Sequence, residues 1–224
     1  MPAKAVKGNL ITVDVATAYV DPIAAHQPTA VTKAYPAVAT FPAGHGLALG
    51  QGIVLLVGSG MAQLNGQATR ISALAANAAT LQGVDATKYS DWITDPNNRV
   101  LVAQTWSLFG EATGYRFGTG QASVLEDGRL HLSAALSEKG PNATETVEFD
   151  MRAVTYDEGA LEFVRLASHR GESIFVRITH PDGAVRHFYG EPSNPGEDVT
   201  FGALGTGTWS LSPKGRIIRG APLP

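Results

Sequence analysis

Hydrophobic and polar positions alternate along much of the chain, and this two-residue period predicts β-strands. The alternation is clearest near residue 150, where Val147, Phe149 and Met151 share one face and Glu148 and Asp150 the other. The segments predicted as strands are 9–20, 52–57, 67–74, 78–81, 98–109, 129–136, 144–154, 173–179, 184–189, 198–204 and 207–211. Many short strands between turn residues are typical of a mostly β fold.

One segment, residues 158–170 (EGALEFVRLASHR), has the period of an amphipathic helix. Asp157 can cap its start, and Gly171 can take the left-handed conformation that ends it. The apolar face is predicted from Phe163, Leu166 and Ala167, with Ala160 and Val164 beside them. A helix of about three turns needs a sheet to pack on, so we expect an α+β or mostly β sandwich with one packed helix.

The glycine-rich stretch HGLALGQGIVLLVGSGMAQLNG, residues 45–66, first suggests a phosphate-binding loop. It has no Gly-Lys-Ser/Thr ending to supply the phosphate lysine and the magnesium hydroxyl, and no GxGxxG before a helix. We therefore interpret its glycines as turns between strands, with Asn65-Gly66 as a hairpin signal. The sequence HPDG at 180–183 predicts a second hairpin turn.

No pattern of catalytic or metal-ligating residues emerges. The histidines lack a metal-binding spacing, although His180 and His187 flank a turn and could face each other across the hairpin. The adjacent carboxylates point to opposite sides and make no acid/base pair by spacing, and there is no GxSxG motif. The tryptophans Trp92, Trp106 and Trp209 are typical core or interface anchors. The sequence predicts neither an enzyme nor a cofactor or metal site.

Composition narrows the function further. The chain of 224 residues has 17 Lys and Arg against 20 Asp and Glu, a net charge of −3, so it lacks the basic field that wraps nucleic acid. It has no cysteine, which excludes disulfides and thiolate chemistry. No apolar run reaches the length of a signal peptide or a membrane span, so we expect a soluble protein that is not secreted.

Residues 45–92 carry a dense pattern of short motifs. These are HG at His45, a G-x-x-V pattern at 50–53 with Ile53 in the last place, G-x-GM-x-x-LNG at 58–66 and LxGVDxTxY at 81–89. The pattern resembles a small β-module found repeatedly in phage structural proteins, and it is similar to the first catalytic-cysteine half-domain of ubiquitin-activating enzymes. The resemblance implies a β-barrel-like decoration. It does not imply ubiquitin activation, since the chain has no cysteine.

Residues 134–222 resemble the major tail tube proteins of long-tailed (siphovirus-like) bacteriophages. The resemblance rests on EKGPNATETVEFDMRAV, the helix EGALEFVRLASHRG, SIFVRITHPDGAVRHFYGEPSN and GRIIRGAP, in that order. It implies a helix packed on a β-sandwich whose strands join six subunits into a ring. Stacked rings would form a tube through which DNA passes during ejection.

Together the two resemblances imply three parts. Residues 1–28 are an N-terminal segment expected to belong to the tube domain, 29–95 are the inserted module, and 96–224 are the tail-tube sandwich with helix 158–170. The polar segment 90–99 marks the boundary. Whether the first strand belongs to the tube or to the module stays open.

The expected function is a structural virion protein located in the tail and assembled in the host cytoplasm. Its expected partners are further copies of itself in hexameric rings, the tape measure, tail terminator and tail tip proteins, and DNA in the lumen without sequence-specific binding; no membrane is expected. The polar loops 137–146 and 189–198 are candidates for contacts between stacked rings, with solvated loops as the alternative. Their candidate residues are Glu138, Lys139, Asn142, Glu145, Glu191 and Asn194.

Three alternatives remain open at this point. The chain could be another virion protein, such as a tail-completion or decoration protein. It could be a surface- or carbohydrate-binding module that uses exposed aromatics, for which Tyr89 and Trp92 are the candidates. An enzyme would need a compact pocket around His180 and His187.

Overall fold

A computed structural model of the chain describes residues 11–20, 24–109, 112–118, 124–127, 136–139, 146–152, 159–193, 195–198 and 206–222. The mostly β fold with one helix is confirmed for these residues. The strands are β1 (Thr12–Val20), β2 (Ala30–Val31), β3 (Val38–Thr40), β4 (Gly52–Leu56), β5 (Gln67–Ala75), β6 (Ala78–Leu81), β7 (Arg99–Leu108), β8 (Ala112–Gly118), β9 (Val124–Asp127), β10 (Leu136–Lys139), β11 (Thr146–Arg152), β12 (Ile174–Thr179), β13 (Val185–Pro192), β14 (Gly196–Asp198), β15 (Thr206–Pro213) and β16 (Ile218–Gly220). The helix is α1 (Gly159–Arg170), and short 3-10 turns lie at Ala24–His26 and Ala62–Leu64.

Fourteen strands form one curled antiparallel sheet. Its order is β2-β3-β6-β5-β4-β7-β1-β12-β13-β15-β11-β8, with β14 added to β15 and β16 to β13. Strand β1 lies at the middle of this order, between β7 and β12. Strands from the two halves of the sequence therefore belong to one hydrogen-bonded ladder. No helix in the described part of the chain is long and apolar enough to cross a membrane.

Three groups of buried residues pack against this sheet. The first core is built from β2 to β7, and its largest fully buried members are Phe41, Ile53, Leu55, Met61, Leu64, Ile71 and Leu81. The second core joins β1, β11, α1, β12, β13 and β15, and its members include Val13, Val15, Phe149, Val164, Ile174, Phe188 and Trp209. The inner core lies on the opposite face of the sheet and consists of Ala16, Val54, Ala68, Ala103 and Phe175.

The curl follows from small residues on the inner face. A register shift between Ala16 and Tyr19 of β1 bends this strand from its pairing with β12 toward β7. On the other side, Gly52 lets β4 come close to Phe175 and His187. A Cβ at this position would lie 3.1 Å from Phe175 Cζ and from His187 Nε2. Small residues on four strands therefore let the sheet wrap around one phenylalanine.

The helix prediction is confirmed in position, but one of its predicted core residues is wrong. The buried residues of α1 are Ala160, Val164 and Ala167, whereas Leu166 is 40% exposed. The small side chains allow a close approach to the sheet, so the larger ones flank the contact. Gly171 ends the helix with φ of 63°, as predicted, whereas Asp157 lies outside the described residues.

Most predicted strands are confirmed within one to three residues, but several polar segments were misjudged. The predicted loop at 137–146 is wrong at its start, because β10 runs through Lys139. The predicted loop at 189–198 is wrong at both ends, because β13 continues to Pro192 and β14 begins at Gly196. Strands β2, β3, β8, β9 and β16 lie outside the predicted segments, and β8 was missed because of its glycines. Of the predicted strand 129–136, only Leu136 lies within the described residues.

The two predicted turns differ in outcome. The HPDG turn joins β12 to β13 as expected, with Gly183 N–H donating to the His180 carbonyl at 2.9 Å. Asn65-Gly66 does lie between β4 and β5, and Gly66 has φ of 76°. It is not a two-residue hairpin, because a longer connection with a 3-10 turn at Ala62–Leu64 precedes it.

Candidate functional site

The candidate ring-contact residues are placed only in part. Glu191 is exposed at the end of β13, where its carboxylate pairs with Lys214 Nζ at 3.0 Å. Glu138 and Lys139 belong to β10 rather than to a loop. Asn142, Glu145 and Asn194 lie outside the described residues. The expected contact loops are thus replaced, where the structure describes them, by strand ends.

Tyr89 and Trp92 are less exposed than the sequence predicts. Both are half-buried and pack against the first core, and Trp92 Nε1 is buried without a hydrogen-bond partner. They belong to the connection between β6 and β7, which folds back over that core. Their aromatic surface is therefore used inside the chain. The exposed aromatic on this part of the chain is Tyr35, at 67%.

Backbone N–H groups of the glycine stretch donate to a buried side chain that the sequence reasoning missed. Asn98 is fully buried, and its Oδ1 accepts hydrogen bonds from the N–H groups of Gly58 at 2.8 Å and Ser59 at 3.3 Å. Its Nδ2 donates to the Ile93 carbonyl at 2.7 Å. The amides that a phosphate would need are thus already occupied, which agrees with the absence of a nucleotide motif.

His180 and His187 do not face each other. His180 Nε2 lies 3.1 Å from the Tyr115 hydroxyl, on the side of the second core. His187 is opposite Arg177 in the β12–β13 register and packs against Phe175 on the inner face. The arrangement in which the two histidines face each other across the hairpin is therefore not formed. In the part of the chain that the structure describes, no three His, Asp or Glu side chains are grouped to hold a metal.

The inner face carries buried polar groups beside the inner core. Burial, together with the charges of Arg177 and Arg70, lowers the pKa of His187 to about 3, so this ring is neutral at pH 7. The Arg177 guanidinium pairs with Asp14 at 2.9 Å and stacks on Trp106, with Cζ 4.4 Å from the ring centroid. These groups bridge β1, β7, β12 and β13, and their contacts lie within the chain.

Tyr19 explains how the sheet divides at this point. Beyond the register shift, β1 no longer pairs with β12, and the Phe175 N–H donates instead to the Tyr19 hydroxyl at 3.0 Å. Burial is the main cause that raises the pKa of Tyr19, so its phenol stays protonated. A side chain thus replaces the missing strand partner of a buried amide.

The C-terminal residues close the curled sheet through side chains. Gln67 on β5 donates from Nε2 to the Arg216 carbonyl at 2.9 Å and accepts from the Arg216 N–H at 3.1 Å. Arg70 donates to the Ala221 carbonyl and to Gln82 Oε1. The inner core is therefore enclosed by residues far apart in sequence.

The other end of the sheet is open. Strand β8 pairs with β11 on one side, and among the described strands none pairs with its other side. Its seven residues leave a row of main-chain donors and acceptors available to a further strand. The opposite end of the sheet is β2, which has only two residues.

Strands β9 and β10 form a separate hairpin. Val124–Asp127 pairs with Leu136–Lys139, and neither strand pairs with any other described strand. This hairpin follows β8 after five residues in the sequence, yet it does not cover the open side of β8. An isolated two-stranded hairpin is marginally stable in water, so it gains stability when it packs on another surface.

On β8, β11 and β15, the face turned away from the second core is polar. It carries a cleft of about 290 Å³, and the cleft is lined by Arg116, Glu148, Ser193, Gly196, Thr208, Trp209 and Ser210. Arg116 pairs with Glu148 and, at 3.6 Å, with Asp150. Because this guanidinium is already paired with carboxylates, the cleft presents hydroxyl groups beside a neutralised ion pair.

The face of β8 that packs on the second core differs from its polar face. Tyr115 and Phe117 lie against the second core, and the guanidinium of Arg186 stacks over Phe117 with Cζ 4.7 Å from the ring centroid. The sequence reasoning overlooked these residues, although the run YRF in ATGYRFG was a usable signal.

No protein-family model matches the sequence, and no curated protein matches it. The function is therefore argued from the open edge of β8 and from the residues beside it.

Proposed function

We propose that this chain is a structural subunit of a phage tail tube, which assembles into hexameric rings that stack around a DNA-conducting lumen. The observation that carries the proposal is that one side of β8 and the hairpin β9–β10 both lack a further strand partner among the described strands. A long unpaired edge promotes aggregation in a monomer, but it is a ready joint in an assembly. A heterologous contact between copies closes into a ring when the rotation allows it.

The arrangement around the second core supports the proposed tail-tube type of sandwich. Phe117 of β8 meets Phe188 of β13 with ring centroids 6.0 Å apart, and Phe149 of β11 stacks on Trp209 of β15 at 4.2 Å. Strands at the end of the sheet thus fold over those at its middle, and α1 contributes Val164 to the same core. One helix and two facing layers are what the resemblance implies.

The hairpin β9–β10 supports contacts between copies. We propose that it reaches a neighbouring copy, with Glu138 and Lys139 in its second strand and Asn142 and Glu145 in the connection that follows. Glu191, near the end of β13, is exposed and forms an ion pair with Lys214. In the proposed tube, a cation from an adjacent ring replaces Lys214 as the partner of this carboxylate. The first core would lie outside the tube as a decoration.

The charge of the chain fits a DNA conduit. A net charge of −3 gives the chain no overall excess of cations to hold phosphates, and Arg116, Arg177 and Arg219 are already paired with carboxylates. DNA can then slide without sequence-specific binding. The proposed partners in the tail are further copies of this chain and the tape measure, tail terminator and tail tip proteins.

Electron microscopy and light scattering of the purified chain test the proposal. We expect rings with the mass of six chains, or tubes, at raised protein concentration. Hydrogen exchange should show slower exchange of amides in Ala112–Gly118 on assembly, because an added strand would occupy the open edge. A chain that stays monomeric under all conditions contradicts the proposal. Assembly only as a cap on tails or heads would favour the other virion proteins instead.

The structure gives less support to a glycan-binding function than the sequence did. Tyr89 and Trp92 are half-buried and pack on the first core, which reduces the aromatic surface that they could offer to a sugar. An enzyme with a pocket between His180 and His187 is likewise unsupported, since the two rings lie on opposite faces.

A further inference from the structure

Four side chains beside the open edge of β8 form a compact group, which we call the edge anchor. It consists of Tyr115 and Phe117 on β8, His180 at the end of β12 and Arg186 on β13, and all four are half-buried. The Tyr115 ring meets the rings of Phe117 and His180 edge-on, with centroid distances of 5.4 and 5.9 Å. Tyrosine, phenylalanine and arginine are enriched in the central residues of protein interfaces.

Arg186 is the member whose interactions are incomplete. Its guanidinium stacks on Phe117, but its Nε is buried without a hydrogen-bond partner. No carboxylate pairs with it among the residues that the structure describes, whereas Arg177 pairs with Asp14 and the neighbouring Arg219 with Asp182. A half-buried guanidinium gains most from a planar carboxylate that accepts two of its N–H groups.

The surroundings of Arg186 add no negative charge that would satisfy it. In the β13–β16 register, Arg186 lies opposite Arg219, whose guanidinium is held by Asp182 at 2.9 Å. Burial, and then the charges of Arg186 and Arg219, lower the pKa of His180, which favours the neutral form of this ring. The edge anchor is therefore a cationic and aromatic surface next to unpaired main-chain groups.

We propose that the β8 edge and the edge anchor bind the hairpin β9–β10 of a second copy of this chain. One hairpin strand pairs with β8, and a carboxylate of the hairpin pairs with Arg186. This inference rests on the proposed function, since it names the surfaces through which copies assemble. It commits to a second copy because, among the described strands, the same chain carries both an edge without a partner and a hairpin whose strands pair only with each other.

Charge complementarity supports the hairpin as the partner. Its two strands read VLED and LSEK, so the sequence supplies Glu126, Asp127 and Glu138 against one lysine. Edge pairing gives affinity through main-chain hydrogen bonds, and pockets for alternate side chains give specificity. An acidic hairpin on a cationic aromatic edge meets both conditions.

A charge-exchange experiment on the full chain tests the inference. Arg186→Glu and the double variant Glu126→Lys/Asp127→Lys are each measured by sedimentation velocity across a concentration series. Each should weaken self-association at least tenfold, and an equimolar mixture of the two should recover at least part of it. Arg99→Glu is the matched control, because Arg99 is exposed at the start of β7 and makes the same change of charge. It should associate like the wild type.

A second variant separates lost association from lost folding. Arg186→Met keeps the apolar stem over Phe117 and removes the charge, so it should melt close to the wild type and still associate more weakly. If Arg186→Glu and Arg186→Met associate like the wild type, the edge anchor is not the contact. If only the hairpin variant does so, the hairpin is not the partner, and the inference is equally overturned.

The outcomes for the inference and for the tail-tube proposal can be told apart. Wild-type rings or tubes that persist in the Arg186 variants overturn the inference and leave the proposed function standing. Oligomers that are lost in the Arg186 variants but never close into rings support the inference and contradict the tube. A wild type that is monomeric at every concentration overturns both.

Discussion

The first core and the second core are both built from antiparallel strands, but the sheet ends differently beside each of them. The strand order beyond the first core ends at β2, which has two residues, and several polar residues in this region bond to nearby backbone groups, although Trp92 Nε1 does not. His45 accepts from the Leu47 N–H at Nδ1 and contacts the Ala76 carbonyl through Nε2 at 3.1 Å. Beyond the second core the described strands end at β8, and none of them pairs with the other side of its seven residues.

The difference teaches where to look for assembly. Around the first core, buried Asn98 uses both its oxygen and its nitrogen on nearby backbone groups. Next to the second core, Arg186 keeps a buried Nε without a partner, beside an open edge. Buried polar groups are normally satisfied, so an exception next to free main-chain groups marks a surface that another chain can complete.

The largest expected effect comes from breaking the first core at Asn98. Asn98→Ala removes the acceptor for Gly58 and Ser59 and leaves buried amides unsatisfied, so the free energy of unfolding should fall by about 3 kcal/mol in urea titrations. Asn97→Ala, at the exposed neighbour, should change it by less than about 0.5 kcal/mol. If the two variants are equally stable, the buried amide does not hold the glycine stretch.

The next effect lies between the two cores, at His187. Its pKa is about 3 in the folded chain, against a usual value of 6.5. Below pH 6.5 the unfolded chain binds a proton that the folded chain does not, so stability is complete above pH 6.5 and falls as the pH drops toward 3. The slope from this group is about 1.4 kcal/mol per pH unit.

Comparison with His187→Gln isolates this contribution from that of the carboxylates. Urea titrations between pH 6.5 and 4.5 should give the variant a shallower pH dependence than the wild type. The variant has its own stability, so the test is the difference in slope. Parallel curves would mean that His187 binds its proton equally in both states.

A smaller effect is expected where β1 leaves β12. Tyr19→Phe removes the acceptor of the Phe175 N–H and should lower the free energy of unfolding by about 1.5 kcal/mol. Hydrogen exchange at the Phe175 amide should become faster than in the wild type. Tyr89→Phe, which removes a hydroxyl from a half-buried ring of the first core, serves as the control. Equal exchange rates at Phe175 in Tyr19→Phe and the wild type would rule out this role for the hydroxyl.

The smallest effect is a gain in the first core. Ala76 has φ of 48°, a left-handed conformation in the turn between β5 and β6. Ala76→Gly should raise the free energy of unfolding by about 1 kcal/mol, because glycine adopts this conformation without strain. The neighbouring Ala75→Gly should lower it instead, since Ala75 ends β5. A destabilised Ala76→Gly would show that the turn is not strained.

Period and turn chemistry were enough to predict much of the fold. Strands β4, β5, β6 and β12 begin and end within one residue of their predicted bounds, because each alternates between clear turn residues. The same rules missed β8, whose Gly114 and Gly118 lie opposite Asp150 and Thr146 on the outer face of a paired strand. Glycine marks turns in a sequence, but inside a sheet a neighbouring side chain can cover it.

The candidate site was predicted less well, since it depends on contacts distant in sequence. The exposure of Tyr89 and Trp92 could not be judged, because the first core that they cover is assembled from several strands. Arg186 read as an ordinary alternating residue of β13. Its importance arises only when Phe117 and the open edge of β8 are brought beside it.

The sequence by itself determined the class of the protein: short alternating strands, one helix, no cysteine and no catalytic or nucleotide motif. Only the tertiary structure decided that the strands join in one curled sheet, that His187 lies inside it and that β8 is the last described strand at one end of it. Local period depends on neighbours two to four residues apart, whereas strand order and burial depend on residues more than a hundred positions apart, such as Tyr19 and Phe175.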